Sequence, residues 1–589
     1  MFNSFAATIV HHARVTPDKT AVTMVRVAGH ERDAETLTYV QLHRAAAGVA
    51  RRLLEGRRAG DRVLLLHPTG LDFVVTFVGC LYAGIVPVPA PAPANQGRAD
   101  ERTTAVAADA QAGTVLTGPQ HVDVVTRLIA DSVRDGVVVS AMGRDDVVDD
   151  TGDVFRPAPV GPEDVAFLQY TSGSASDPKG VVVTQGSLVH NLALIRDVLG
   201  ANAQSRSCSW LPLYHDMGLV GMLLAPLWLG GTAILMSPTD FLRRPHQWLA
   251  LATEYRAVHI TAPNFAYDLC ARHVTDEQLA GLDLSRVRHA LSGAEPIDAA
   301  TIIRFTARFA PAGFRPEAFK PCYGMAEATL LVTCTPDAHG PVITPVDQSD
   351  LERGVLTRLP ADADAPLLVS SGRADGLDIR VVDPRSREPL PDGQVGEIWV
   401  RGPSVASGYW NRPEATLETF HGVLSDGSEQ GFLRTGDLGV LRDQQLYVTG
   451  RIKDMIIIHG RNLHPHDIER DMAGMHDAFR GLQSSVCSVP GPEEQLVVMQ
   501  ELRTRGGAEL DLPALAREVR VRLGERLGVR VPNLVFLRPG QVLRTSSGKV
   551  RRARMRELFM TGGLAPVYED LDVATSRRYR PRPCLDGVR

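Results

Sequence analysis

YTSGSASDPKG, residues 170–180, sets small and hydroxyl-bearing side chains between an apolar run at 165–168 and the β-branched run Val181, Val182, Val183. Small residues let backbone N–H groups approach phosphate oxygens. The hydroxyls of Thr171, Ser172 and Ser174 add donors around Gly173, and Lys179 supplies a compact positive charge. The order GxxxxGK[ST] is absent, so this is not a Walker loop, and the same text also fits a plain hairpin between two strands. Its weight grows from the rest of the chain, which holds only five lysines: Lys19, Lys179, Lys320, Lys453 and Lys549. Three of them fall in Gly- or Ser-rich segments, the other two segments being residues 450–462 (GRIKDMIIIHGRN) and 544–551 (RTSSGKVR). Where nearly every other positive charge is written as Arg, a lysine in such a place marks a need for a point charge rather than a planar fork.

Length and composition narrow the class. A chain of 589 residues, 44% hydrophobic, is too long for one core and predicts at least two domains. A net charge of -5 and a pI near 6.4 offer no broad basic surface, which argues against nucleic acid as the partner and leaves nucleotides open. Seven scattered cysteines without a CxxC pair read as free thiols of a reducing cytoplasm. The N-terminal text lacks the basic and apolar regions of a secretion signal. Residues 73–89, the most apolar stretch, are interrupted by Gly79, Gly84 and Pro87 and fall short of the ~20 residues of a membrane span. They predict a helix running into a buried strand.

Apolar, β-branched runs at 62–66, 181–183, 233–236, 258–260 and 287–291 alternate with helix-like segments, the pattern of α/β layers with mostly parallel sheets. After Asp378 the text turns strand-rich (379–383, 397–401, 445–448) with Pro-Asp-Gly and Arg-Thr-Gly-Asp turns, predicting a β-rich lobe over about 378–450. From Arg451 a strand at 455–458, a helix from Pro465, alternation around Cys487 and Val497, and a helix from Leu512 describe a small α+β domain. The expected organisation is therefore a large domain over 1–450, a hinge at 451–453, a mobile C-terminal domain over 454–575, and a disordered Arg- and Pro-rich tail over 576–589.

Two carboxylates stand out. Glu327, in Tyr323-Gly324-Met325-Ala326-Glu327, follows a Gly-containing turn and suits Mg²⁺ held jointly with ATP phosphates. Asp437, in Arg434-Thr435-Gly436-Asp437, suits hydrogen bonding to ribose hydroxyls. Each reads equally well as a turn or cap residue.

These segments, in this order, resemble the adenylate-forming superfamily of acyl-CoA synthetases, peptide-synthetase adenylation domains and luciferases, over residues 38–558. The resemblance implies that Thr171, Ser172, Gly173, Ser174 and Lys179 handle the β,γ-phosphates. It places Gly293, Ala294, Glu295 and Tyr323 at the adenine, counts Gly324, Met325 and Ala326 among the ATP/AMP-binding residues, and sets Glu327 on Mg²⁺. It puts Asp437 on the ribose with Arg451 nearby, Lys453 at the hinge, and Lys549 at the α-phosphate and the substrate carboxylate. Family loops usually carry Thr where this chain has Ala175, which implies somewhat weaker ATP affinity.

Residues 60–93, 210–221 (WLPLYHDMGLVG), 262–269 (APNFAYDL), 323–331 (YGMAEATLL) and 450–469 resemble fatty acyl-AMP ligases more than acyl-CoA ligases. Residues 342–364, a polar Asp-rich stretch, resemble the insertion that the subgroup links to stopping at the acyl-adenylate; a neutral surface loop is the other reading. The resemblance sets His215 beside the acyl carboxylate, though a lone histidine is also a common structural residue. It sets Phe265, Ala266 and Tyr267 along an acyl tunnel, with core packing as the competing role. It implies a fatty acid substrate, ATP and Mg²⁺, and, since no carrier motif is present, an acyl carrier protein or polyketide or peptide synthase carrier domain in trans. A long-chain acyl-CoA synthetase is the alternative.

Overall fold

The computed structural model describes residues 4–29, 31–92, 101–130, 137–144, 155–171, 178–458, 461–490, 494–503, 510–527, 529–544 and 548–580. Parallel pairing joins, in spatial order, Phe319–Gly324, His289–Ser292, His259–Ala262, Arg206–Ser209, Thr232–Met236 and Thr20–Ala28. Antiparallel strands Leu331–Cys334 and Glu31–Thr38 close the two edges of this sheet. A second sheet is wholly parallel, in the order Val86–Pro89, Arg62–Leu65, Thr114–Thr117, Val138–Ala141. Parallel strands are covered on both faces, which is why their text is a continuous apolar run rather than an alternation. The apolar stretch at 73–89 resolves into helix Leu71–Ala83 and strand Val86–Pro89. That helix packs on helix Tyr39–Leu54 through Gly79, where a Cβ would lie 2.5 Å from Val49 Cγ1. Among the described residues no helix is long and apolar enough to cross a membrane.

The β-rich lobe is an antiparallel sheet in the order Asp378–Val382, Val395–Arg401, Gln430–Arg442, Gly422–Val423, with Gln445–Arg451 also paired to Gln430–Arg442. The chain as a whole is α/β and divides into two compact units. The larger holds Met1–Val346, Arg358–Thr435 and Val440–Val448; the smaller holds Asp347–Thr357, Gly436–Gly439 and Thr449–Arg589. In the smaller unit the strands Ser484–Val489, Gln495–Glu501, Asn533–Leu537 and Tyr568–Asp570 form one mixed sheet. Helices Pro465–Met475 and Leu512–Leu527 contribute Met472 and Leu515 to a core shared with Val498 and Phe536.

The stretch expected as a polar loop at 342–364 has its own structure. Strands Ile343–Pro345 and Leu367–Val369 pair antiparallel, and helix Gln348–Glu352 is capped by Asp347, whose Oδ1 accepts the Asp350 N–H at 2.9 Å. The expected disorder from 576 is corrected for residues 576–580. Helix Val573–Tyr579 is capped by Asp572, the Tyr579 hydroxyl donates to the Pro490 carbonyl at 2.8 Å, and Arg580 forks onto Glu569 at 3.0 and 2.7 Å. One capped turn and one aromatic anchor outweigh an Arg-rich composition. Residues 581–589 lie outside the described residues. The six described cysteines are free thiols.

At the amino ends of two neighbouring parallel strands, His259 and His289 face each other in register, their rings stacked 4.8 Å apart at 14°. Their Nδ1 atoms are 2.8 Å apart, and His289 Nε2 meets Asp337 Oδ1 at 2.6 Å. Burial, followed by the charges of His289 and Arg288 and against that of Asp337, lowers the His259 pKa from 6.5 to about 3. A site that binds its proton more weakly folded than unfolded stabilises the fold above the unfolded pKa, and that stability is lost as pH falls. Thermal unfolding of the larger unit should therefore move to lower temperature as pH drops from 6.5 towards 3, and His259→Phe should flatten that slope.

Candidate active site

The strands on either side of the Ser/Gly segment form a hairpin pair. Strands Val165–Tyr170 and Gly180–Thr184 pair antiparallel, and the Thr171 N–H donates to the Lys179 carbonyl at 3.2 Å, so these two residues face each other at the loop's base. The Tyr170 hydroxyl donates to Asp109 Oδ2 at 2.7 Å, and Arg412 holds the other oxygen of Asp109 at 2.8 Å. Ser172, Gly173 and Ser174 lie outside the described residues, as does Ala175.

A third segment lines up with the hairpin. The Val182 N–H donates to the Gly408 carbonyl at 2.9 Å and the Trp410 N–H to the Gly180 carbonyl at 2.7 Å, with Val181 bridged to Tyr409. This pairing sets the Tyr409 ring under the Lys179 ammonium, 4.9 Å from Nζ to centroid, within cation–π range. The Tyr409 hydroxyl donates to Glu327 Oε1 at 2.8 Å. Burial first, then the charge and hydrogen bond of Glu327, push the Tyr409 phenol well above its usual pKa, which keeps it a neutral donor. Tyr409 was not among the residues expected from sequence, because its place depends on pairing with a distant strand.

The Glu327 turn is held from several sides. Asn191, fully buried, donates to the carbonyls of Ala328 at 3.3 Å and Leu331 at 2.9 Å, and accepts the Leu331 N–H at 3.1 Å. The Thr329 hydroxyl donates to the Ser404 carbonyl at 2.7 Å, while Thr329 itself sits at φ +67°, a conformation that a β-branched residue adopts only under constraint. Met325 N–H closes the turn on the Leu330 carbonyl at 2.9 Å. At Gly324 a Cβ would lie 1.9 Å from that same carbonyl oxygen.

The sheet order brings further expected residues side by side. His215, Phe265, Glu295 and Tyr323 each lie at or just past the carboxyl end of one of four neighbouring parallel strands, the edge where open α/β sheets bind ligands. His215 Nδ1 is 2.5 Å from Asp216 Oδ1, and the chain continues into a π-helical segment, Met217–Leu224, a wide helix common at functional sites. Gly293, Ala294 and Glu295 leave strand His289–Ser292, with Ala294 at φ +67°. Glu295 Oε1 accepts the Phe265 N–H at 2.7 Å, which joins two of these strand ends. Tyr323 is the penultimate residue of strand Phe319–Gly324, and its hydroxyl lies 3.8 Å from Met325 Sδ.

The three tunnel residues part company. Phe265 is half-buried, its ring edge-on to Trp210 at 6.0 Å. Ala266 and Tyr267 are fully buried, and Tyr267 packs among Phe305, Phe319 and Trp248 with its hydroxyl donated to the Leu291 carbonyl at 2.7 Å. For Ala266 and Tyr267 the structure favours the core role over a tunnel wall.

The remaining expected residues belong to the smaller unit. Asp437, 5% exposed, pairs with Arg451, Oδ1 to Nε 2.8 Å. Lys453 is exposed on the turn Ile452–Asp454. Lys549 is half-buried, next to Val550, which bridges antiparallel to Arg544. Among the described residues no three or more His, Cys, Asp or Glu side chains gather as a metal cluster.

Gly324→Ala should lower unfolding free energy by about 1–3 kcal/mol, the usual scale of overpacking, because the added methyl must displace the Leu330 carbonyl that closes the Glu327 turn. Denaturant unfolding measures the loss, and unchanged stability would show that the turn relaxes freely.

The family described as AMP-binding enzyme matches residues 9–410. The chain is 38% identical over 545 residues to the medium-chain-fatty-acid–[acyl-carrier-protein] ligase JamA of Moorena producens, covering 91% of each chain. It is 39% identical over 545 residues to the long-chain-fatty-acid–AMP ligase FadD26 of Mycobacterium marinum, covering 90% of this chain and 92% of that one. A solved fatty acyl-adenylate ligase of L. pneumophila, in complex with acyl adenylate and pyrophosphate, superposes with a TM-score of 0.74 at 36% identity, covering 97% of this chain and 98% of the other. Hairpin, carboxylate turn and strand-end residues therefore sit in a chain that belongs to the AMP-binding, adenylate-forming enzymes, on their fatty acyl-AMP ligase branch.

Proposed function

We propose that this chain activates a fatty acid with ATP to an acyl-adenylate and pyrophosphate, then passes the acyl group to the thiol of an acyl carrier protein supplied in trans. The observation that carries the reading is the line from Lys179 through the Tyr409 ring and hydroxyl to Glu327. It holds a cation and an anion at fixed positions at the base of a loop rich in N–H and hydroxyl donors.

The reaction brings two anions together, because a carboxylate oxygen must attack the α-phosphorus of a triphosphate. Fixed positive charge that meets the charge developing in the transition state is the largest lever available. In this reading Lys179 and Thr171 hold the β,γ-phosphates, Glu295 and Tyr323 border the base, and the Asp437–Arg451 pair takes the ribose. Lys549 meets the α-phosphate and the acid's carboxylate. Asp216 occupies His215 Nδ1, which leaves Nε2 for that carboxylate. Glu327 would hold Mg²⁺, an ion that binds one or two protein carboxylates together with substrate phosphates and waters, so a single oriented carboxylate fits it. The bound ion would supply Lewis-acid neutralisation of the phosphates.

The insertion concerns the second step. Its segment Asp347–Thr357 belongs to the smaller unit, where Glu352 Oε2 takes Arg461 Nε at 2.9 Å and also meets Arg461 Nη2. In this reading the insertion, held to the smaller unit by this pair, limits use of free coenzyme A. Excising residues 342–364, or breaking the pair with Arg461→Ala, should let acyl-CoA form. A folded variant that still makes only acyl-adenylate contradicts this role.

Fatty-acid-dependent exchange of pyrophosphate into ATP tests the adenylation step. Lys549→Ala should lower its rate ~10² to 10³-fold, the usual cost of one preorganised donor, while ATP binding by calorimetry stays near normal. Exchange that ignores Lys549 would remove that residue from the chemistry.

A further inference from the structure

One half-buried charge network in the smaller unit takes part in none of these steps. Arg552, three positions after Lys549, donates from Nε to Glu469 Oε1 at 2.8 Å and from Nη2 to Glu469 Oε2 at 2.5 Å. Its Nη1 reaches Asp454 Oδ2 at 3.4 Å. Asp454 adjoins Lys453 in the turn Ile452–Asp454. Glu469 stands on helix Pro465–Met475 and also accepts the Val486 N–H of strand Ser484–Val489 at 3.0 Å. The guanidinium at the start of helix Arg552–Thr561 therefore joins the turn Ile452–Asp454 to helix Pro465–Met475, and through Glu469 to strand Ser484–Val489.

The Lys549 segment is attached to this network and anchored again on its other side. Val550 bridges to Arg544, and the Arg551 N–H donates to the Leu543 carbonyl at 2.8 Å. The Val542 N–H in turn donates to Glu501 Oε1 at 2.8 Å, and Glu501 is 3% exposed. The leg that carries Lys549 thus runs between two carboxylates rooted in the smaller unit's sheet and helix.

Burial pushes the Glu469 carboxyl up against the pull of Arg552, so the pair is held at a desolvation cost. Apolar packing would give comparable stability without that cost, but it would not fix direction. A planar fork on a carboxylate does, because both N–H vectors must meet both oxygens.

We propose that Arg552 is a positioning residue for adenylation: its fork on Glu469 and its reach to Asp454 fix the Lys549 leg to the hinge turn, so that rotation at Lys453 carries Lys549 as part of one rigid body. This rests on the roles given above to Lys453 and Lys549.

The test uses the full chain and acid-dependent pyrophosphate release in Arg552→Lys, Glu469→Gln and Asp454→Asn, each alone and combined with Lys549→Ala. Thermal unfolding confirms that each variant is folded. Each single change should lower kcat roughly tenfold to a hundredfold, the cost of a misplaced catalytic group, with KM for ATP nearly unchanged. In the Lys549→Ala background the same changes should cost nothing further. Unchanged kcat in folded single variants, or losses that multiply with Lys549→Ala, overturn the proposal while leaving the adenylation reading intact. A wild-type chain that releases no acid-dependent pyrophosphate overturns both.

Discussion

The Tyr409 side chain meets two opposite charges at once, the Lys179 ammonium on its ring face and the Glu327 carboxylate at its hydroxyl. It ties the lysine at the base of the loop to the carboxylate on the Glu327 turn. With it, their separation is set by a rigid aromatic spacer. Much of the surrounding backbone serves that spacing. Residues 408 and 410 hydrogen-bond to strand Gly180–Thr184, Asn191 clamps Ala328 and Leu331 on the carboxyl side of Glu327, and Thr329 is held at positive φ. Strain kept by several simultaneous hydrogen bonds is a common mark of a preorganised site.

The layered fold was legible because buried parallel strands must be continuous apolar runs, and such runs at 62–66, 233–236 and 287–291 announce themselves locally, whereas the run at 181–183 belongs to an antiparallel hairpin. The same local reading located helix Leu71–Ala83 and the small domain's helices Pro465–Met475 and Leu512–Leu527. Tyr409 was not legible, because its role depends on pairing with a strand more than two hundred positions earlier, and no local periodicity reports that. Phe265, Ala266 and Tyr267 show the opposite difficulty: an apolar run reads alike for a tunnel wall and a core, and only the aromatic neighbours of Tyr267 separate the two. At 576–580 composition pointed to disorder, although Asp572 three positions before Thr575 was a readable helix cap.

The expected site residues are divided between two units of the chain. Phosphate-loop, carboxylate-turn and strand-end groups belong to the larger, while Asp437, Arg451, Lys453 and Lys549 belong to the smaller. Lysine usage follows this division: Lys179 belongs to the larger unit and Lys453 and Lys549 to the smaller, in a chain that otherwise favours arginine.

The most direct test is mass spectrometry of the products formed by the purified chain with ATP, Mg²⁺ and a ladder of fatty acids, with and without coenzyme A. The account predicts an acyl-adenylate that accumulates for some chain lengths and is unaffected by coenzyme A. Conversion of that adenylate to acyl-CoA by the unaltered chain would contradict it and make the protein an acyl-CoA synthetase in which residues 342–364 exert no control.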